Sequence, residues 1–126
     1  MLASRYRLRL NADFQRVRHE GKTWTHRLIV MSAAPNRRDY SRFGFAASKR
    51  VGKAVIRNKV RRRMREVVRL KRQTIRAGWD LIFVARFSAA QATYAQIERA
   101  VDDLIKRAGL YRENHKREQS YGVGSK

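Results

Sequence analysis

Residues 42–76 of this 126-residue chain read RFGFAASKRVGKAVIRNKVRRRMREVVRLKRQTIR, a short strand pattern followed by a long helix pattern. From about Lys53 onward, apolar residues recur at helical spacing, and at about 100° per residue they share one side of a helix. These residues are Ile56, Val60, Met64, Val67, Val68 and Ile75. The sequence therefore predicts an amphipathic helix over about 53–76, with one side facing a core.

Basic residues crowd the rest of this predicted helix. Between Lys49 and Arg76 the sequence holds 13 basic residues and one acid, Glu66. A solvated face usually mixes charges, because like charges four residues apart destabilise a helix by about 0.2–0.5 kcal/mol per pair. The side opposite the apolar stripe is predicted to carry Arg57, Asn58, Arg61, Arg65, Arg69, Arg72 and Arg76. This pattern favours a surface that binds a polyanion over a face that is merely solvated.

The whole chain shares this bias, with 31 Lys+Arg, 10 Asp+Glu and a formal net charge of +21. Of the basic residues 23 are Arg and 8 are Lys, and Arg pairs with phosphate through two hydrogen bonds and stacks on bases. The absence of Cys excludes a disulfide framework, a thiolate zinc site and a cysteine nucleophile. A nucleic acid is therefore the expected partner.

The sequence also bears on the compartment. No apolar run approaches the ~20 residues that a membrane span needs, and the N-terminus lacks the apolar core of a signal peptide. These features predict a protein of a reducing, cytosol-like compartment. A membrane-active basic helix over 53–76 is the alternative, but the flanking strand patterns and a second helix disfavour an isolated amphipathic segment.

Strand patterns flank the basic helix. Residues 27–31, 42–48 and 80–86 are apolar runs of strand length bounded by turn residues. The first two are separated by a short polar loop and predict an antiparallel hairpin. The third is apolar throughout and predicts a strand that is buried on both faces.

Two further helices complete the predicted domain. Asn11 is the expected N-cap of an opening helix over about Ala12–His19. Thr93 and Gln96 form a capping box for a closing helix that ends near Ala108. The sequence predicts one α/β domain over 1–110, with helices packed on a small mixed sheet, and a basic, flexible tail over 111–126.

Aromatic residues suggest a second candidate surface, since unpaired RNA bases stack on aromatic rings beside basic grooves. Phe14 lies near Arg16 and Arg18, and Phe43 and Phe45 share one face of their predicted strand. For each ring taken alone, a core position is the favoured prediction, and the sequence does not show which face of the sheet would bind bases.

Residues typical of protein active sites are sparse. His19, His26 and His115 lack the spacing of metal ligands, and the adjacent Asp102 and Asp103 diverge by about 100° on a helix. A protein-only nuclease would need clustered carboxylates or histidines. The sequence therefore predicts no catalytic residue and no metal site in this chain.

The stretch over residues 42–66 resembles the signature of the protein component of bacterial ribonuclease P. Residues 8–21, 78–86 and 94–111 are similar to that family's opening helix, last strand and closing helix, so the resemblance covers about residues 6–111. It implies an α/β two-layer sandwich with three helices. It also implies a small mixed, mainly antiparallel sheet of about four strands and a left-handed βαβ crossover.

The resemblance also implies where RNA binds. Nine residues match the family's Arg-Asn-Arg helix and the loop before it, which face the catalytic RNA: Lys49, Arg50, Lys53, Arg57, Asn58, Lys59, Arg61, Arg62 and Arg65. Phe14 matches an aromatic of the cleft that is implied to hold the single-stranded 5′ leader of precursor tRNA. The leader cleft is expected to include Phe14, Arg16, Arg18, Phe43 and Phe45. Arg18 and Ser32 stand where the family often has Phe and Tyr, which implies a more cationic cleft.

The implied function is that of a protein subunit in a ribonucleoprotein endonuclease that removes the 5′ leader. Hydrolysis is expected to be carried out by the partner RNA with bound Mg²⁺, with one protein per RNA, in the bacterial cytoplasm. A general RNA-binding or ribosomal protein would share the composition and the α/β build. The motif over Ser48–Glu66 distinguishes the two hypotheses.

Overall fold

The computed structural model describes residues 2–112, and this range holds three α-helices and four strands. The elements in chain order are α1 (Asn11–Glu20), β1 (Lys22–Thr25), β2 (Ile29–Pro35), β3 (Arg42–Ala47), α2 (Ala54–Lys71), β4 (Trp79–Ala85) and α3 (Tyr94–Ala108). Of the flexible tail predicted over 111–126, residues 113–126 lie outside the described residues. Its first two residues pack on the domain instead: Tyr111 forms a bridge to Ile75, and the Arg112 N–H donates to the Thr74 carbonyl at 2.8 Å.

The four strands form a mixed sheet in the order β1-β2-β4-β3. The β1/β2 and β2/β4 pairs are antiparallel, and β3 runs parallel to β4. The predicted hairpin between the second and third of these strands is therefore wrong. The most apolar strand, β4, lies between them, because a strand that is buried on both faces takes an interior position. β1, a short and mostly exposed edge strand, forms the hairpin with β2 instead.

Helices pack on both faces of this sheet. Along β4, Leu81 and Phe83 face the main core beneath α2 and α3, which holds Met64 and Leu104 among others. Ile82 points the opposite way and packs with Val17 of α1, because alternate residues of a strand face opposite sides. The predicted α/β sandwich with three helices and a four-stranded mixed sheet is confirmed. In the βαβ unit β3–α2–β4, the left-handed sense of the crossover stays a prediction.

The ends of α1 and α3 differ in how far local signals determine them. The capping box of Thr93 and Gln96 is confirmed, and Gly109 ends α3 with a left-handed φ of 70°. The N-cap prediction for α1 is wrong: Asn11 is the first helical residue, and Leu10 stands in the cap position without a side-chain hydrogen bond. Ordinary backbone bonds to the Leu10 carbonyl begin that helix.

α2 ends earlier than its apolar stripe predicts. A 3-10 turn follows Lys71, and the Thr74 hydroxyl donates to the Lys71 carbonyl at 2.6 Å. Ile75 is buried as predicted, but in extended backbone rather than on the helix. Arg76 consequently lies beyond the helix, where its N–H donates to the Leu110 carbonyl. Its predicted place on the basic face of α2 is wrong, because the chain must turn there to enter β4.

Gly21 allows α1 to run closely against β2, which suggests a stability test. A Cβ on Gly21 would lie 2.3 Å from the Ala33 carbonyl oxygen and 2.6 Å from that of Val17, and backbone atoms cannot easily give way. We expect Gly21→Ala to lower the free energy of unfolding by about 2 kcal/mol, measured by urea titration. Gly109→Asn is the control, because its surroundings are open and Asn tolerates a left-handed φ. Equal stability of the two variants would contradict the prediction.

Candidate nucleic-acid interface

Three arginines one turn apart on α2 form a row that borders the apolar stripe. Arg57, Arg61 and Arg65 are each half-buried, whereas Asn58 and Arg62 are exposed. The prediction that the row stands opposite the stripe is wrong. On the helical wheel Arg57 lies beside the buried Met64 and Val68. Each later arginine of the row lies about 40° further from the centre of the apolar stripe. The aliphatic stems of the arginines thereby cover apolar surface while the guanidinium groups reach its edge.

Two guanidinium groups of this α2 row, those of Arg57 and Arg65, each hold a buried N–H without an acceptor in the described part of the chain. The Nε atoms of Arg57 and Arg65 are shielded from solvent, and within residues 2–112 neither has a hydrogen-bond partner. Buried donors are rarely left unpaired in folded proteins. Burial, and after it the positive charges of Arg7 and Arg61, lower the pKa of Arg65. An anion placed against the row would supply both the acceptors and the countercharge.

The loop that precedes α2 presents the next cations of the predicted RNA-binding set. Lys49 and Arg50 lie in a 3-10 turn (Lys49–Val51), whose start is capped by the Ser48 Oγ accepting from the Arg50 N–H at 3.3 Å. Lys53 follows as the N-cap residue of α2, one turn before Arg57. The structure thus brings these three cations to the N-terminal end of the α2 row.

The outer side of α2 holds the rest of the predicted set. Lys59 and Arg62 are exposed there, and Asn58 accepts a hydrogen bond from Arg61. Arg69, which the helical wheel also placed on the basic face, donates two hydrogen bonds to Glu66 at 3.0 and 2.6 Å. This pairing lowers the pKa of Glu66. Arg69 is therefore already paired with a carboxylate, unlike Arg57 and Arg65.

A pocket of about 280 Å³ at the edge of β3, the edge pocket, joins the α2 row to aromatic residues. Its lining residues are Arg7, Leu8, Arg9, Phe14, Phe43, Phe45, Arg61 and Arg65. The N-terminal segment reaches it because the Leu8 N–H donates to the Phe43 carbonyl at 2.7 Å. Arg7 and Arg9 were not predicted, although the strict alternation RYRLRL over residues 5–10 is typical of an extended segment beside a sheet.

The two phenylalanines of β3 serve the main core. Phe43 is 0 % exposed and packs in the main core, although it also borders the edge pocket beside Phe14 and Phe45. Its place in a leader cleft stays a prediction. The Phe45 ring stacks on Phe83 with 5.8 Å between centroids, and the Arg65 guanidinium carbon lies 5.9 Å from the Phe45 centroid. The alternation of β3 turns both rings toward α2, away from α1, and Phe45 reaches the edge pocket from that side.

Phe14 and Arg18 lie on the other face of the sheet. The half-buried Phe14 ring sits so close to Gly44 that a Cβ there would be 2.6 Å from it. Beyond Phe14, Val30 of β2 and Val84 of β4 are register partners and are only half-buried. Arg18 is exposed one turn after Phe14, on the same side of α1. We call this surface, with Ala46 of β3 in the same row, the α1 trough.

Arg16 faces away from the α1 trough, toward Asp80. This carboxylate is 0 % exposed and was not predicted from the sequence. It pairs with Arg16, and it accepts from Arg42 at 2.7 and 3.0 Å and from the Asn36 amide at 2.8 Å. Burial by itself raises the pKa of Asp80, but the hydrogen bonds from Arg42 and Asn36 outweigh it and hold the pKa low. Arg16 therefore anchors α1 to β4.

The adjacent acids of α3 are occupied by ion pairs. Asp102 accepts from the Tyr111 hydroxyl at 2.6 Å and pairs with Lys106 at 3.2 Å, and Asp103 pairs with Arg107 at 3.2 Å. In the part of the chain that the structure describes, no three His or acidic side chains gather as a metal site. None of the helices described is long and apolar enough to cross a membrane.

Comparison with known proteins gives the family. A sequence model of the ribonuclease P family matches residues 2–109. The ribonuclease P protein component of Roseiflexus castenholzii is 48 % identical over 106 residues, which cover 83 % of this chain and 87 % of that protein. The corresponding protein of Herpetosiphon aurantiacus is 45 % identical over 113 residues, 90 % of this chain and 89 % of that one.

Solved structures agree with the sequence comparison. The RNase P protein of Staphylococcus aureus has a TM-score of 0.79 at 34 % identity, covering 85 % of this chain and 98 % of that one. The RNase P protein of Thermotoga maritima has a TM-score of 0.74 at 31 % identity, covering 80 % and 96 %. Sequence, fold and the acceptor-poor arginine row thus agree. The chain belongs to the bacterial ribonuclease P protein family, the protein component of an endoribonuclease whose partner is RNA.

Proposed function

We propose that this chain docks on the catalytic RNA of ribonuclease P and holds the 5′ leader of precursor tRNA in place for cleavage. The RNA, with bound Mg²⁺, carries out the hydrolysis, and one protein serves one RNA in the bacterial cytoplasm. The observation that supports docking most strongly is the α2 row, where the buried Nε atoms of Arg57 and Arg65 lack acceptors within the described range.

The α2 row suits an RNA backbone. Its members are one helical turn apart, about 6 Å along the axis, which is comparable to the separation of neighbouring phosphates on a strand. Each guanidinium can pair with a phosphate through two parallel hydrogen bonds. Lys49, Arg50 and Lys53 extend the same positive surface beyond the start of α2. Phosphate contact would offset both the burial and the cationic repulsion that lower the pKa of Arg65.

The leader strand is assigned to the α1 trough. Unpaired nucleotides bind where an aromatic ring adjoins cations, and Phe14 with Arg18 provides that combination beside the half-buried Val30 and Val84. Phe14 also lines the edge pocket with Arg61 and Arg65, so the leader surface and the α2 row adjoin each other. This adjacency would let one small protein contact the catalytic RNA and the leader together.

A reconstitution experiment tests the proposed function. The chain is added to a bacterial ribonuclease P RNA at a low Mg²⁺ concentration, and 5′ cleavage of precursor tRNA is followed on gels. We expect cleavage to be stimulated, whereas a general RNA-binding protein would bind without stimulating it. Cleavage by the chain alone that is lost on Asp102→Ala with Asp103→Ala would refute the proposal and indicate a protein-only nuclease.

The salt dependence of leader binding tests the electrostatic part of the proposal. If about six phosphates are neutralised, the affinity for a single-stranded leader oligoribonucleotide should fall with a log–log salt slope near −4. Fluorescence anisotropy titrations at increasing potassium chloride measure this slope. A slope near zero would show that leader binding does not depend on the cationic surface.

A further inference from the structure

A second cationic cluster lies where the N-terminal segment meets the β2–β3 loop and the end of α2. The rings of Tyr6 and Tyr40 meet edge to face with 5.8 Å between centroids. The Arg72 guanidinium lies 4.2 Å from the Tyr6 centroid. Arg5 and Arg38 lie 4.5 and 5.9 Å from the Tyr40 centroid. We call these five residues the tyrosine cluster.

The rings position these guanidinium groups without neutralising them. A guanidinium over an aromatic ring uses its flat face, while its N–H donors lie in the plane and point outward. One donor of Arg38 reaches the Tyr40 hydroxyl at 3.3 Å. Across residues 2–112, no ion pair to a carboxylate engages Arg5, Arg38 or Arg72, although Asp39 lies nearby. The three guanidinium groups therefore lie close together and have N–H donors that no carboxylate of the described residues occupies.

The tyrosine cluster borders a pocket of the right character for an anion. The pocket has a volume of about 250 Å³, and three arginines, Arg5, Arg72 and Arg112, line it together with the rings of Tyr6 and Tyr40. The exposed Asp39 is the one carboxylate among the lining residues, so the described cations outnumber it three to one. We propose that this pocket binds a phosphodiester group of RNA, as a contact separate from the α2 row. The proposal rests on the proposed function only in taking RNA as the polyanion.

The position of the cluster favours RNA over a free anion. The N-terminal segment runs beside β3 and carries Arg5 into the tyrosine cluster and Arg7 into the edge pocket. Tyr40 and Phe45 mark the two sites and are five residues apart, roughly 17 Å of extended chain. A single RNA strand that follows the β3 edge would contact both sites. This RNA strand belongs either to the catalytic RNA or to the leader, and separate titrations with each RNA distinguish the two.

Charge-matched variants test this site. Arg5→Gln with Arg72→Gln removes two cations from the cluster, and Arg99→Gln with Lys106→Gln removes two exposed cations from α3. Both pairs are titrated with ribonuclease P RNA and with a leader oligoribonucleotide at several salt concentrations. For one of these RNAs the cluster pair should reduce the salt slope by about two and weaken binding roughly tenfold. Equal changes in both pairs would refute the site.

Substitution of the rings supplies a test without change of charge. Tyr6→Phe with Tyr40→Phe keeps both aromatic faces and should preserve binding. Tyr6→Leu with Tyr40→Leu should lower the affinity severalfold for the RNA whose binding the Arg5 and Arg72 substitutions weaken. Circular dichroism confirms that the variant is folded. Equal binding by the two pairs would refute a ring-held site. A different outcome separates this inference from the proposed function. If the cluster variants bind RNA like the parent, while glutamine at Arg57, Arg61 and Arg65 weakens binding and the parent chain stimulates cleavage, this inference fails and the proposed function stands.

Discussion

Replacement of Arg57, Arg61 and Arg65 together by glutamine is expected to weaken binding to ribonuclease P RNA roughly 100- to 1000-fold. Each arginine would lose a charge-assisted contact to phosphate, at about 1 to 1.5 kcal/mol apiece. The log–log salt slope should become less steep by about three. Filter binding at several salt concentrations measures both quantities.

The same triple variant should fold at least as well as the parent. Like charges one turn apart repel each other, and repulsion by Arg7 and Arg61 adds to burial in lowering the pKa of Arg65. Neutral glutamines remove this repulsion, so the melting temperature at low salt should stay equal or rise. Opposite changes in binding and stability are what a docking surface predicts, because its charges are placed for a partner rather than for the fold.

A charge-matched triple provides the control. Arg99→Gln, Lys106→Gln and Arg107→Gln remove the same three charges from α3, where Lys106 and Arg107 already pair with carboxylates. We expect these substitutions to weaken RNA binding less than tenfold. Equal losses for the two triples would show that net charge alone governs binding. Loss of helical circular dichroism in the α2 triple would show that the row is structural.

Short-range patterns predicted the helices better than the sheet. The apolar period of α2 and the capping box of α3 depend on residues within a few positions of one another, which the sequence displays directly. The order β1-β2-β4-β3 depends on pairing between distant segments, such as Pro35 with Trp79. No local signal shows that β4 enters between β2 and β3, so the nearest strands in sequence were wrongly paired.

The same distinction applies to the candidate site. The family motif identified Arg57, Arg61 and Arg65, but the prediction placed them opposite the apolar stripe, whereas the row borders it and all three are half-buried. The Arg16–Asp80 pair joins residues 64 positions apart, so a carboxylate at the start of an apolar run looked like a strand boundary. Phe43 illustrates the converse: a ring beside basic residues in sequence is a core residue in space.

Asp80→Asn is expected to produce the largest loss of stability, about 3 kcal/mol in the free energy of unfolding. The isosteric amide cannot balance the charges of Arg16 and Arg42, and removal of one partner from a buried ion pair typically costs 3–5 kcal/mol. Both arginines are partly exposed, which favours the lower end of that range. The melting temperature should fall by roughly 10 °C, measured by calorimetry.

The pH dependence of stability distinguishes the lost charge from a mere packing defect. Hydrogen bonds from Arg42 and Asn36 overcome the effect of burial and hold the pKa of Asp80 below its ordinary value of 3.8. A carboxylate with a lowered folded-state pKa stabilises the fold above its unfolded-state pKa, and this contribution disappears as pH falls through the folded-state pKa. The parent should therefore lose stability progressively below about pH 5, and Asp80→Asn should lose less over the same range.

Asp103→Asn is the matched control, because that carboxylate is about half-exposed and pairs with Arg107 on the surface of α3. Its stability should differ from that of the parent by less than about 1 kcal/mol, and its acid profile should run parallel to the parent's. If Asp80→Asn also runs parallel to the parent, Asp80 does not titrate in the way the structure implies. If the stability difference between the parent and Asp80→Asn instead shrinks as pH falls, the charge of Asp80 is what holds α1 on the sheet. Phe14 and Arg18 would then owe their position over the sheet to this charge.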